Sequence, residues 1–314
     1  MKIAVAGAGA MGGRFGYMMH KAGYDVTFID QWKPHVEAIK ERGYEINIDG
    51  EEVCAKLPIF FPHEIVAQNV EFNLVVLFTK SMQLDGMLQA IKPIVTNKNT
   101  FTICLLNGIG HENVVEKYVP ITNMLLGNTL WTAGLVGPGK IKLQNTGTVE
   151  FCELHPNAKD MAVKTVDVFA KSGLNPTHSK DVYGTIYKKA VLNGTMNSLC
   201  TLLEANMHNM GTAAGSKPLI VGIVNEFAAI ADADGINFNK EESLAGIMAS
   251  TDINGIGIHF PSMYQDLIGQ KRLTEIDCIN GFISDRGKHH NIPTPYCDFV
   301  TNAIHSKEEL LKAE

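Results

Sequence analysis

The hexapeptide GAGAMG at residues 7–12, directly after the apolar run KIAVA, constrains this chain more than any other feature. Its glycines, Gly7, Gly9 and Gly12, follow a G-x-G-x-x-G spacing. The first permits a tight strand-to-helix turn, and the second lets backbone approach a pyrophosphate with no Cβ in the way. The third allows close helix–strand packing, while the helix N-terminus offers amides and a positive dipole end. Such a turn alone is a weak signal. Here a clean strand precedes it, a helix runs on to about Lys21, Gly23 stops that helix, and VTFI forms a second strand ending in Asp30. Gly7, Ala8, Gly9, Ala10, Met11 and Gly12 are therefore expected to hold a dinucleotide. Asp30, 18 positions beyond Gly12, has two readings. It can accept from ribose hydroxyls and repel a 2′-phosphate, favouring NAD and leaving NADP possible because Gln31 and Lys33 flank it. Alternatively it caps a helix beginning near Pro34.

The first half goes on alternating strands and helices. NLVVLF (73–78) and TICLL (102–106) read as buried strands of a parallel sheet, with MQLDGMLQAIKPIV as a crossover helix between them. IDGEEV (48–53), with its Asp-Gly turn, reads as a hairpin or an edge insertion. The Gly-rich stretch 123–153 is expected to be antiparallel strands closing the first domain. Beyond about residue 180 helical patterns dominate, at 183–210, 216–234, 240–249, 270–290 and 296–312. The expectation is an α/β dinucleotide-binding domain over 1–180 followed by an all-α substrate and catalytic domain over 181–314.

A net charge of −6 and 19% charged residues offer no field for nucleic acid or a membrane surface, so an anionic substrate must be caught by a few placed groups. The six cysteines lie far apart with no CxxC pair, which points to reduced thiols and no metal site. His289-His290 reads as a helix end. With neither a basic-then-apolar leader nor a membrane-length apolar run, the expected location is cytoplasmic.

In YKKAVLNGTMNSLCTLL (187–203), Lys189, Asn193 and Asn197 recur every four residues and share one helix face. A lysine ammonium can protonate a developing alkoxide while amides orient a substrate, as reduction of a ketone by hydride requires. A solvated polar stripe would have the same spacing. The later stretch 259–282 carries Ser262, Asp266, Glu275 and Asp277 between apolar positions. Ser262 could bind a carboxylate and Glu275 a ribose or nicotinamide amide; either could instead be a helix cap or surface charge.

Taken with FTKSMQ (78–83), LLNGIG (105–110), KKAVLNGTMN (188–197), PSMYQDL (261–267) and TEIDCINGF (274–282), the chain resembles the ketopantoate reductase family over nearly its whole length. The resemblance implies a Rossmann-type N-terminal domain and a helical C-terminal one. It also implies Lys189 as general acid/base, Asn193, Asn197 and Ser262 as substrate contacts, and Lys80, Asn107, Ala133 and Glu275 as cofactor contacts beside the loop. The implied reaction reduces a 2-oxo acid to the R (D) hydroxy acid. Two departures stand out. Asp30 occupies the place where most relatives carry a basic residue matched to NADPH, and ANMHNM offers Asn206 only in a shifted register for a further family asparagine. Asp30 is similar to the acid of an NAD-dependent D-2-hydroxyacid (D-mandelate-type) dehydrogenase branch. The expected substrate is thus a branched or aryl 2-oxo acid, or the matching D-2-hydroxy acid, with Trp131, Phe260 and Tyr264 either lining a pocket or packing a core. The alternatives are an NADPH-dependent 2-dehydropantoate 2-reductase making (R)-pantoate and a non-catalytic nucleotide-binding sensor. A 3-hydroxyacid dehydrogenase is disfavoured by TEIDCINGF. A homodimer through the apolar helical domain is expected.

Overall fold

The computed structural model describes residues 1–313, and the chain divides into two compact units. The first comprises Met1–Leu106 and His111–Val182; the second comprises Asn107–Gly110 and Tyr183–Glu314.

In the first unit the strands are β1 (Lys2–Ala6), β2 (Asp25–Ile29), β3 (Tyr44–Ile48), β4 (Glu51–Ala55), β5 (Ile59–Phe60) and β6 (Leu74–Leu77). They continue as β7 (Phe101–Cys104), β8 (Met124–Thr129), β9 (Thr132–Gly137), β10 (Lys140–Gln144), β11 (Val149–Glu153) and β12 (Pro176–His178). Its helices are α1 (Ala10–Lys21), α2 (Lys33–Arg42), α3 (Pro62–Ala67), α4 (Leu84–Ala90), α5 (Lys92–Val95), α6 (His111–Val115) and α7 (Lys159–Lys171). Eight strands form one sheet in the order β12-β11-β8-β7-β6-β1-β2-β5. Only the β8–β11 pairing is antiparallel. β1 and β6 bury nearly every side chain, as strands covered on both faces must.

The 123–153 stretch forms the expected antiparallel pairs, β8 with β11 and β9 with β10, but divides them between two sheets. β8 is buried throughout and runs parallel to β7, whereas β9 has no fully buried residue. The half-exposed β9 leaves the main sheet and joins β10, β3 and β4 in a second sheet of order β4-β3-β10-β9. The β3–β4 hairpin turns at Asp49 and Gly50, both at positive φ (50° and 101°), as a two-residue hairpin loop requires. The crossover expected over 82–95 is two helices, since the chain breaks at Ile91 and α5 restarts with Pro93 in its first turn.

The second unit contains no strand among the described residues. Its helices are α8 (from Val182, the last residue of the first unit, to Leu192), α9 (Ser198–Leu203), α10 (Met207–Thr212), α11 (Ser216–Ala233), α12 (Lys240–Ala249), α13 (Ser262–Tyr264), α14 (Asn280–His290) and α15 (Pro295–Leu311). Two expected helices are corrected here. The 183–210 helix widens into a π-turn at Asn193–Asn197 and ends at Leu203, where Glu204 takes a left-handed conformation. The 270–290 helix begins only at Asn280, because Ile279 (φ −120°, ψ −97°) is not helical. α15 is capped from a distance. The buried Glu226 carboxylate accepts from the amides of Tyr296 and Cys297, groups that a helix's first turn leaves unpaired.

Candidate active site

The loop after β1 needs two of its three glycines for packing and leaves the third open. Gly7 sits at φ +94°, and a Cβ there would lie 2.6 Å from Phe78 C and Thr79 N. A Cβ on Gly12 would lie 1.8 Å from Gly7 O, so only glycine lets α1 start this close to the strand. Gly9 is the opposite case, since a Cβ there would meet nothing within 4 Å. The loop is therefore crowded where it packs and open at its middle glycine, and the first turn of α1 holds no acidic residue. Beside Gly7, the Thr79 hydroxyl is buried with no hydrogen-bond partner among the described residues. An open glycine, a helix N-terminus without carboxylates and an orphaned hydroxyl together fit a dinucleotide pyrophosphate. The sequence reading missed Thr79. Its only signal was its place in FTK, one residue ahead of Lys80.

Asp30 is not a helix cap. α2 has Trp32 as its N-cap residue and no side-chain cap. Asp30 Oδ1 accepts from the Trp32 amide (2.8 Å), ahead of the helix, and Oδ2 accepts from the Ala8 amide (2.6 Å) in the Gly-rich loop. A carboxylate oxygen has two lone pairs, so each retains one for a ribose hydroxyl. Ala10 and Met11 open α1, half-buried. Lys80 is half-buried after β6 and precedes a short turn over Ser81–Gln83. Ala133 lies on β9 opposite Leu143, and its side chain packs against the unit's core.

In the second unit Lys189, near the C-terminal end of α8, donates from Nζ to Asn107 Oδ1 at 2.7 Å. Asn107, expected beside the cofactor, is thus brought to the candidate acid. Its segment is fixed by Ile109 N donating to Cys278 O (2.8 Å), and by Gly108 (φ +102°), where a Cβ would lie 2.6 Å from that same carbonyl. Burial lowers the Lys189 ammonium from 10.5 to about 8, opposed by the attraction of the Glu275 carboxylate. Glu275 leads the short turn Ile276–Cys278. Asn197 donates from Nδ2 to Ser262 Oγ at 3.2 Å, bringing together two of the expected substrate contacts. Asn193 is half-buried at the start of the π-turn.

Other candidates have structural partners. Asp266 pairs with Arg272, and Asp277 with His305. Asn206 caps α10 by accepting from Asn209 N (2.8 Å). Trp131 is a core residue, with Arg14 over its ring and Nε1 donating to Leu174 O. Phe260, 38% exposed, stacks on Tyr264 at 4.3 Å between ring centroids. His290 ends α14 bonded to Asp234. Among the described residues no cluster of His, Cys, Asp or Glu could hold a metal ion, and no helix is long and apolar enough to cross a membrane.

The chain matches the family described as ketopantoate reductase PanE/ApbA over residues 3–156, and its C-terminal counterpart over residues 181–308. It is 51% identical over 314 residues, all of both chains, to a 2-dehydropantoate 2-reductase of Lactococcus lactis subsp. lactis (strain IL1403). It is 42% identical over 314 residues, again all of both chains, to a 2-dehydropantoate 2-reductase of Streptococcus pyogenes serotype M6 (strain ATCC BAA-946 / MGAS10394). Among solved structures it is similar to a ternary complex of D-mandelate dehydrogenase with NADH and anilino(oxo)acetate, at 49% identity and a TM-score of 0.96, covering 100% of each chain. Matching both segments of the family and sharing half its residues with a full-length relative, the chain belongs to the ketopantoate reductase family of oxidoreductases.

Proposed function

We propose that the protein reduces a branched or aryl 2-oxo acid at C2 to the D-2-hydroxy acid, preferring NAD(H) to NADP(H). The observation that carries the reaction is the buried ammonium of Lys189, lowered by that burial to about 8 and bonded to Asn107. A reduced nicotinamide, when bound, supplies the hydride. Lys189 gives its proton to the C2 oxygen as charge develops there, and takes one back in the oxidative direction. Asn107 accepts from Nζ and aims it, while Asn193, Asn197 and Ser262 hold and orient the substrate, Ser262 on its carboxylate. The first unit holds the dinucleotide through residues 7–12, Asp30, Thr79, Lys80 and Ala133.

The NAD preference rests on Asp30, whose charge opposes a 2′-phosphate. It is supported by the 49% identical D-mandelate dehydrogenase described with NADH and an arylamino-substituted oxoacetate. A second reading, NADPH-dependent 2-dehydropantoate reduction, is favoured by the activity for which the 51% identical Lactococcus relative is named.

Initial rates with NADH and NADPH against 2-dehydropantoate, 2-ketoisovalerate and benzoylformate separate the two. We expect NADH with benzoylformate or 2-ketoisovalerate to give the highest kcat/KM. A more than tenfold advantage for NADPH with 2-dehydropantoate, about 1.4 kcal/mol of transition-state preference, would establish the second reading. No turnover of any 2-oxo acid would leave a nucleotide-binding sensor.

A further inference from the structure

The peptide between Ala8 and Gly9 is held by side chains far from it in sequence. Ala8 is fully buried, and its carbonyl accepts from two donors, His35 Nε2 (2.8 Å) and Tyr44 Oη (2.5 Å). Its amide goes to Asp30 Oδ2 (2.6 Å). The His35 tautomer is not free to vary. Gly139 N donates to Nδ1 (3.0 Å), so Nδ1 carries the lone pair and Nε2 the proton that reaches Ala8. Burial depresses the imidazole's pKa, outweighing the Ala8 bond and the Asp30 charge, which keeps the ring neutral in this role. Tyr44 reaches the loop because residue 13 has no side chain: a Cβ on Gly13 would lie 2.1 Å from Oη.

Across a trans peptide the C=O and the following N–H point in opposite directions. With Ala8 O turned inward onto His35 and Tyr44, both 0% exposed, the Gly9 N–H faces the other way, and Gly9 has no atom within 4 Å of where its Cβ would be. We infer that His35 and Tyr44 are positioning residues for the cofactor, turning the Ala8–Gly9 peptide so that the Gly9 amide donates to the dinucleotide pyrophosphate. The inference rests on the dinucleotide reading of the loop and adds to it two residues outside the fingerprint. It also gives Asp30 a second task, holding the Ala8 amide.

The test is direct titration of NADH by fluorescence, alongside steady-state kinetics and thermal melts of the same full-length variants. Tyr44→Phe keeps the ring packed edge-on against Phe28 and His35 and removes only the hydroxyl. It should raise the NADH Kd about tenfold with kcat at saturating NADH within about twofold. His35→Phe should do the same. His35→Gln, which returns a donor to Ala8 O, should recover binding to within about threefold. Gly13→Ala should mimic Tyr44→Phe by displacing the hydroxyl. If Tyr44→Phe and His35→Phe melt lower yet bind NADH with wild-type Kd, the two side chains are structural only and the inference is wrong. If the wild type binds neither NADH nor NADPH, the dinucleotide reading itself fails, an outcome distinct from the first.

Discussion

Lys189 is the residue whose chemistry can be read most directly. Burial lowers its ammonium to about 8, and the Glu275 carboxylate draws it partly back. Reduction consumes the protonated form, so kcat/KM for a 2-oxo acid should be level in mildly acidic and neutral solution and fall as pH rises through about 8. Oxidation of the D-2-hydroxy acid needs the neutral amine and should rise through the same value. Lys189→Met should cost roughly 10²–10⁴ in kcat in both directions and abolish this dependence. NADH binding should survive, because the Gly-rich loop belongs to the other unit. The folded pKa lies below the ordinary value of 10.5, so the buried ammonium opposes folding below pH 8, and that opposition fades as pH climbs from 8 to 10.5. At neutral pH the methionine variant should therefore melt no lower than the parent. A pH–rate profile of the parent that is flat between 6 and 10 would remove Lys189 from its role as acid.

At the scale of elements, the π-turn is the feature that organises the face carrying Lys189, Asn193 and Asn197. Four residues of α-helix advance about 400°, some 40° past a full turn. The wider π-turn falls short of a turn over the same count. Drift from Lys189 to Asn193 is thus offset between Asn193 and Asn197, keeping the three in line. A buried asparagine holds this widened turn: Asn280 donates to Gly194 O (3.1 Å) and accepts from Ser198 Oγ (2.8 Å). Asn280→Leu would strand both partners and should lower stability in urea unfolding by about 2–4 kcal/mol. A loss under about 0.5 kcal/mol would mean the turn is held by something else. None of this is legible in the sequence, where KKAVLNGTMN reads as plain helix, because the partner lies 86 residues away. The same holds for Asn107 meeting Lys189 across 82 positions, and for the irregular 270–279 segment, whose Thr274 amide is satisfied by Glu308. What sequence does carry is local: the glycine spacing, the strands flanking it, the Asp-Gly hairpin, and the spacing of Lys189, Asn193 and Asn197. Ala8's three partners, Asp30, His35 and Tyr44, come from the turn after β2, from α2 and from β3 respectively, and only Asp30 had a sequence signal.

Over the whole chain the net charge is −6, so the molecule's general field opposes a dinucleotide carrying two phosphates. On the proposed reading, binding comes from the local arrangement at residues 7–12: the outward amide of Gly9, a helix N-terminus without acids, and the clamp that orients the loop. Salt screens the long-range repulsion more than these close contacts, so affinity for NADH should hold or improve slightly between 0.05 and 0.5 M NaCl. A ligand that binds only the folded state adds RT ln(1 + [L]/Kd), about 2.7 kcal/mol at a hundred times Kd. For a unit of between 150 and 250 residues that corresponds to a rise in Tm of roughly 5–10 °C. NADH should produce such a shift in a thermal melt and keep it in high salt. NADPH at the same concentration should produce less, since its extra phosphate meets Asp30 as well as the overall negative charge. An equal or larger shift with NADPH, or an NADH shift that vanishes in 0.5 M NaCl, would mean that positive charge elsewhere captures the ligand and that Asp30 does not choose it.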